Sequence, residues 1–155
     1  MKLKKKDLVI LASLRKNARE SLTTISRKTG IPVSTIFDKL KNNINNLVQR
    51  HTSLLNFNEM GYSTRITMTL RVKKNEKEKA REFLLKNRFV NSAYKINNGY
   101  DFLIEAIFRN MSEVEAFIEQ MESSFKVNEM KIFYIIDEIK REDFMSSPEY
   151  LTLTS

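Results

Sequence analysis

The hydrophobic period of this chain changes at Gly61 from about 3.6 residues to 2. Helices must therefore dominate before that glycine, and strands must enter after it. Charge divides close to the same place. Residues 1–57 hold twelve Lys and Arg against three Asp and Glu, a net of +9, whereas residues 58–155 hold fifteen against sixteen, a net of −1. The formal charge of +8 thus belongs to the first third of the chain. A surplus so confined suits a polyanion, and the neutral part must meet something else.

Composition narrows the chemistry. The chain has no cysteine, which excludes disulfides, thiolate nucleophiles, Cys-based zinc sites and Cys-ligated iron–sulfur clusters. His51 is the single histidine, so one chain cannot build a His-rich metal site, and no cofactor is expected. Apolar residues at 41% beside 30% charged residues indicate a globular protein rather than a disordered one. Lys2, Lys4, Lys5 and Lys6 precede Leu8-Val9-Ile10-Leu11-Ala12, but Asp7 interrupts and Arg15-Lys16 closes the run, which argues against a secretion signal. No run approaches the ~20 apolar residues of a membrane span. A soluble cytoplasmic protein without membrane partners is expected.

In the basic part, Ile10, Leu11, Leu14 and Ala18 recur at helical spacing over about Lys4 to Asn17. Ser21 is the expected N-cap of a second, short helix with Leu22 and Ile25 inward, ended by Thr29-Gly30. Pro32 opens a third helix, with Val33, Ile36, Phe37, Leu40, Ile44 and Leu47 on one side. Ser34, Thr35, Asp38, Lys41, Asn42 and Asn45 lie on the other. An extended stretch, Leu47 to Phe57, follows. After Gly61, Ile66, Met68, Leu70 and Val72 alternate with Arg65, Thr67, Thr69 and Arg71 as a half-wet strand. Helix is expected over Glu76 to Lys86 and strand over Val90 to Ile96. A turn at Asn97-Asn98-Gly99 leads to a strand over Tyr100 to Phe108. A helix capped by Ser112 with Glu115 comes next, and a fourth strand over Lys126 to Asp137. Strand–helix–strand–strand–helix–strand is the ferredoxin-like order. The division expected is 1–57, a linker 58–62, 63–138, and an unassigned mobile tail 139–155 that includes Ser146-Ser147-Pro148.

Three helices with a glycine turn between the second and third form a helix-turn-helix pattern, whose third helix enters the major groove. Ser34, Thr35 and Asp38 are short polar groups near its start and can reach base edges. Asp38 can accept from a cytosine amino group and Asn42 can pair with adenine. Asp38 can equally pair with Lys41 or Asn42 on its own helix. Arg27, Lys28, Lys39 and Lys41 are assigned to phosphates, and Arg50 and His51 to backbone contacts from the segment beyond. If about half of the basic residues meet phosphate, affinity should fall by ~10³ or more between 50 and 200 mM salt.

The order and spacing of these residues resemble the leucine-responsive/asparagine-synthetase-regulator (Lrp/AsnC) family of transcription factors over about Leu3 to Arg141. The resemblance rests on Leu3…Asp7…Ile10-Leu11…Leu14…Asn17-Ala18-Arg19 and on Ile25-Ser26…Gly30-Ile31-Pro32-Val33-Ser34-Thr35-Ile36. Leu55-Asn56…Met60-Gly61-Tyr62 and Gly99-Tyr100-Asp101-Phe102-Leu103 complete it. It implies an α+β architecture, a winged helix-turn-helix joined to a ferredoxin-like effector domain. It further implies binding of palindromic double-stranded DNA by homodimers that pair through their sheets and often join into octameric discs. A small ligand, commonly an amino acid, is implied near the hairpin glycine. Asn98, Gly99, Tyr100 and Asp101 are the candidates, with Gly99 offering backbone access and Asp101 a partner for a ligand amine. Alternatively Gly99 only makes the turn and Tyr100 only packs.

Three departures qualify the resemblance. Asn45-Asn46-Leu47-Val48-Gln49 replaces a usual glycine and apolar pair, Phe37 and Asp38 stand where arginines are frequent, and Met130 and Lys131 replace threonines. The expected apolar residues on both faces of the third and fourth strands call for cover, from a second subunit or from the two helices together with the N-terminal module. Two other readings remain open. One is a sensor or interaction module that no longer binds specific DNA. The other is a catalyst like the tetrapyrrole decarboxylases of similar fold, disfavoured because His51 falls far from any likely cleft. No enzymatic activity is therefore expected.

Overall fold

The computed structural model describes residues 3–44 and 46–147. Lys2, Asn45 and Pro148, each used in the sequence argument, lie outside the described residues. The chain divides into two compact units. The first holds residues up to Leu54 together with the segment from Ile139, and the second is Leu55–Glu138.

The first unit is built on α1 (Lys5–Lys16), α2 (Leu22–Thr29) and α3 (Val33–Lys39). Asp7, in the first turn of α1, accepts the Lys4 N–H at 2.8 Å, while Arg15 and Lys16 oppose the dipole at the other end. Ser21 Oγ caps α2 by accepting from the Thr24 N–H at 3.1 Å, as expected. Gly30 closes α2 at φ 70°, a left-handed conformation that lets its N–H reach the Ser26 carbonyl at 2.8 Å. Pro32 is the N-cap of α3 rather than its first residue, and Val33 begins the helix one residue later than expected.

A π turn, Leu40–Ile44, continues α3. Its physical reason lies in the spacing of Ile36 and Ile44. Eight residues of regular α-helix turn about 800°, which would leave Ile44 about 80° off the buried face. The wider π turn absorbs the excess, and both isoleucines are fully buried. They join Ile10, Ile25 and Ile31 in a core of five isoleucines, with Leu11, Leu14, Leu22, Leu40 and Val48 at its margin.

This core is narrower than the apolar pattern suggested. Val33, Phe37 and Leu47, expected on the inner side, are 42%, 55% and 42% exposed. The expected wing is also corrected. Residues 48–56 form no strand. No positive-φ residue occurs between Gly30 and Gly61 among the described residues, so no tight hairpin turn is available there. The segment from Ile139, expected as a free tail, groups with the first unit instead. Arg15 Nη2 donates to the Glu142 carbonyl at 2.8 Å and to its carboxylate at 3.1 Å.

The second unit is a four-stranded antiparallel sheet in the order β2-β3-β1-β4, consistent with the ferredoxin-like arrangement. Its elements are β1 (Thr64–Val72), α4 (Lys77–Lys86), β2 (Val90–Lys95), β3 (Phe102–Phe108), α5 (Met111–Ser124) and β4 (Val127–Tyr134). β1 sets Ile66, Met68 and Leu70 opposite Ala106, Ile104 and Phe102 of β3. These side chains pack with Ala80 and Leu84 of α4 and Val114, Phe117 and Met121 of α5. A chain of ring contacts, Phe89–Phe108–Phe117–Phe83–Phe125, runs through the core.

The cap of α5 is Asn110, not Ser112. Asn110 Oδ1 accepts from the Glu113 N–H at 3.1 Å, and the Glu113 carboxylate returns to the Arg109 N–H at 2.8 Å. Asn110…Glu113 has the same spacing as Ser112…Glu115 and starts the helix two residues earlier, with Val114, Phe117 and Met121 on its buried face in either case. The sheet face away from the helices carries Arg65, Thr67, Thr69 and Arg71 of β1. Its neighbours there are Leu103, Glu105 and Ile107 of β3 and Glu129, Lys131 and Phe133 of β4. Phe133 is 54% exposed on that face. No helix among the described residues is long and apolar enough to cross a membrane.

Candidate nucleic-acid interface and effector hairpin

The helical angle of about 100° per residue sets the outward face of α3. Val33, Phe37, Lys41, Ser34 and Asp38 follow one another around it, with Ile36 and Lys39 behind. Ser34, Asp38, Lys41 and Asn42 are exposed, and Thr35 is half-buried. Ser34, Asp38 and Lys41 therefore lie near one another, with the exposed Val33 and Phe37 beside them rather than on the opposite side. Asp38 makes no ion pair with Lys41 among the described residues, leaving its carboxylate open to a donor.

The cations do not all join them. Lys39 turns inward, where its Nζ lies 2.5 Å from Asp7 Oδ1 in a bridge buried between α1 and α3. This corrects its assignment to phosphate. The Lys39 hydrogen bond, helped by the Lys4 N–H, outweighs burial and holds the Asp7 carboxyl below its ordinary value. Lys28 is exposed and pairs with Glu20. Arg27, Lys41, Arg50 and His51 are exposed, the last two on the strandless segment. Phe37 and the Asp7–Lys39 bridge are what the sequence reading missed. Asp7 precedes Lys39 by 32 residues, and no local pattern links them.

In the second unit the turn at residues 96–101 joins β2 to β3. Asn98 and Gly99 take φ 62° and 87°, the pair of left-handed conformations that a tight hairpin needs. Both are exposed. Asp101 is not open to a ligand amine, which corrects its expected role. Its Oδ2 accepts the Val72 N–H at 3.0 Å, and its Oδ1 accepts from Lys77. Burial pushes its pKa up, but Lys77 and the Val72 N–H push harder, and the net direction is down. Its carboxylate thus ties the hairpin to β1.

Tyr100 anchors a polar cluster. Its hydroxyl lies 2.6 Å from Glu129 Oε1, and Arg71 Nη2 lies 2.5 Å from Glu129 Oε2. Lys131 Nζ sits 5.3 Å from the Tyr100 ring centre. The Tyr100 hydrogen bond first, then Arg71 and Lys131, lower the pKa of Glu129. Period-2 parity puts Arg71, Glu129 and Lys131 on one sheet face, a signal present in the sequence. Beside Lys131, the buried Thr69 Oγ1 has no hydrogen-bond partner among the described residues.

Two concavities occur elsewhere in this unit. One of about 480 Å³ is lined by Glu76, Glu122 and Lys126, among others, and one of about 360 Å³ by Lys86, Arg88 and Gln120, among others. Neither includes residues 98–101. No group of three or more His, Cys, Asp or Glu able to hold a metal occurs among the described residues.

Known proteins place this geometry. A model of the Lrp/AsnC ligand binding domain matches residues 65–144. An HTH-type transcriptional regulator of Pyrococcus horikoshii is 26% identical over 149 residues, covering 96% of this chain and 100% of the relative. A transcriptional regulator of Neisseria meningitidis, solved in complex with L-Met, has a similar fold. It has a TM-score of 0.84 and 22% identity, over 90% of this chain and 94% of that one. LrpC of Bacillus subtilis gives a TM-score of 0.82 and 18% identity, over 90% of this chain and 99% of its own. With a family model spanning more than half its length and relatives aligned nearly end to end, this chain belongs to the Lrp/AsnC family.

Proposed function

We propose that the chain is a transcription regulator that binds palindromic double-stranded DNA as a homodimer or higher oligomer, and that a small ligand of the amino-acid class modulates it. One observation carries this reading: the outward face of α3 offers Ser34, Asp38, Lys41 and Asn42 from a module of net charge +9. Short polar groups read base edges there, while Lys41, Arg27, Lys28, Arg50 and His51 meet phosphate. Residues 1–57 act as the helix-turn-helix DNA-binding domain and 63–138 as the effector and oligomerisation domain. The protein acts in the cytoplasm by binding rather than by catalysis.

Assembly uses the open sheet face. The exposed Phe133 and the partly exposed Leu103 supply its apolar area, and the Arg65–Glu105 pair at 3.2 Å lies beside them. A two-fold dimer places two α3 helices on successive turns of one duplex. The effector reading rests on the exposed Asn98-Gly99 turn beside Tyr100, Glu129 and Lys131, and on the L-Met bound by the Neisseria relative. Asp101 serves as the hairpin's tie rather than as a ligand contact.

Selection of random duplexes by the purified protein at low salt, with and without an amino-acid mixture, tests the whole. A palindromic consensus is expected, with yield changed by the mixture. Failure to enrich any palindrome would remove the regulator reading. A thermal-shift series with single amino acids tests the ligand part, since a specific ligand raises the melting temperature by mass action.

A further inference from the structure

Phe37 has no structural task. It is 55% exposed on α3, one position after the fully buried Ile36. No ring or cation–π contact involves it among the described residues. Val33, four residues earlier on the same stripe, is 42% exposed. An apolar pair is thereby displayed on the very surface that carries Ser34, Asp38 and Lys41, inside a strongly basic module.

Apolar side chains gain nothing from phosphate. Of the groups lining the major groove, only the thymine 5-methyl is apolar. We propose that Phe37, backed by Val33, reads a thymine methyl in each half-site and is a specificity-determining residue of this protein. The proposal rests on the DNA-binding reading above and adds a base to it. Asp38, the next residue in the chain and about 100° further around the helix, sharpens the choice. Its carboxylate is repelled by the acceptor-only edge of guanine and favours bases that offer an amino group. Together the two residues select an A·T pair, or a thymine beside a cytosine, at the centre of the α3 footprint. The charge of the module favours DNA over an apolar protein partner as the occupant of this face.

The test isolates one methyl group. In the selected palindrome, deoxyuridine replaces thymidine one position at a time in both half-sites, and affinity is measured at fixed salt. Deoxyuridine keeps every hydrogen bond and lacks only the methyl. The wild-type protein is expected to lose about fourfold per methyl at one position of the half-site, the value of one buried carbon, and about fifteenfold when both half-sites are changed. Phe37→Ala should bind thymine and uracil sites equally, and Phe37→Leu should keep part of the difference. Because Phe37 is more than half exposed, the Ala variant should retain the wild-type melting temperature and non-specific DNA affinity. Parity between thymine and uracil at every position in the wild-type protein overturns the proposal while leaving the regulator reading intact. Discrimination that survives in Phe37→Ala overturns it too. Wild-type parity with a loss of assembly mass in Phe37→Ala also overturns it, because the face would then be a protein interface. If no palindrome is enriched, the regulator reading fails, and the proposal fails with it.

Discussion

The two units solve opposite problems. The first keeps five isoleucines inside and puts its surplus charge outside. The second buries fourteen residues in one core, including four phenylalanines, and is nearly neutral. Hydrophobic stabilisation scales with apolar area removed from water, and surplus like charge opposes compaction. The first unit therefore gives up stability for a surface that a polyanion can use. The second has no such surface to maintain and carries the stability of the chain. Native-state hydrogen exchange checks this difference, with α2 amides expected to open before those of β1. The comparison breaks if β1 loses protection first.

The largest effect should come from Phe117→Ala. Phe117 is 1% exposed and touches Phe83, Phe89 and Phe108. Its truncation should cost the second unit about 3–5 kcal/mol in urea unfolding followed at β1, with α2 protection unchanged. Asp7→Asn should cost the first unit about 2 kcal/mol, because Lys39 would be left charged and half-buried without its partner. The pH dependence follows from the lowered Asp7 pKa. Its contribution is fully present above the unfolded value near 3.8 and drains away as pH falls through the lower folded value. Asp101 does the same for the second unit. Acid titration should therefore weaken both units in wild type, whereas Asp7→Asn removes the Asp7 part of this acid limb and leaves the second unit's unchanged.

Periodicity carried the sequence reading far, because each strand and helix had to place its apolar residues on one core. Ile66, Met68 and Leu70 show this in β1, and Val114, Phe117 and Met121 in α5. Other features depend on distances along the chain that no local pattern contains. A helical stripe does not tell how wide a core it faces, so Phe37 read as buried and lies in solvent. Lys39 read as a phosphate contact because its partner Asp7 belongs to another helix. Asp101 read as a ligand group because the Val72 N–H and Lys77 that occupy it come from elsewhere in the unit. The missing wing is different in kind. Residues 48–56 form no strand, although the sequence before them offers asparagines able to make a turn, so an extended stretch with a turn signal was not enough to specify one.

A smaller effect separates two equally spaced cap motifs. Asn110→Ala should destabilise the second unit by about 1 kcal/mol, since the Glu113 N–H loses its acceptor. Ser112→Ala, inside the first turn of α5, should change it by less than about 0.5 kcal/mol. Equal effects in thermal unfolding would reverse the assignment of the cap.

The smallest effect bears most directly on how the first unit uses its charge. Lys41 is exposed on the reading face of α3, while Lys39, two residues earlier, is held by Asp7. Each phosphate contact contributes about 0.9 to the slope of log affinity against log salt. Lys41→Gln should flatten that slope by about this amount, which is roughly a 3.5-fold change between 50 and 200 mM salt. Lys39→Gln should leave the slope as it was, although it weakens the unit. Arg81→Gln, on exposed α4 of the neutral unit, should also leave it unchanged. Filter binding of the three variants across a salt series measures all of this at once. A flattened slope in Lys39→Gln would mean that the Asp7 bridge opens when DNA binds. The charge buried between α1 and α3 would then be a reserve for the interface rather than a strut for the fold.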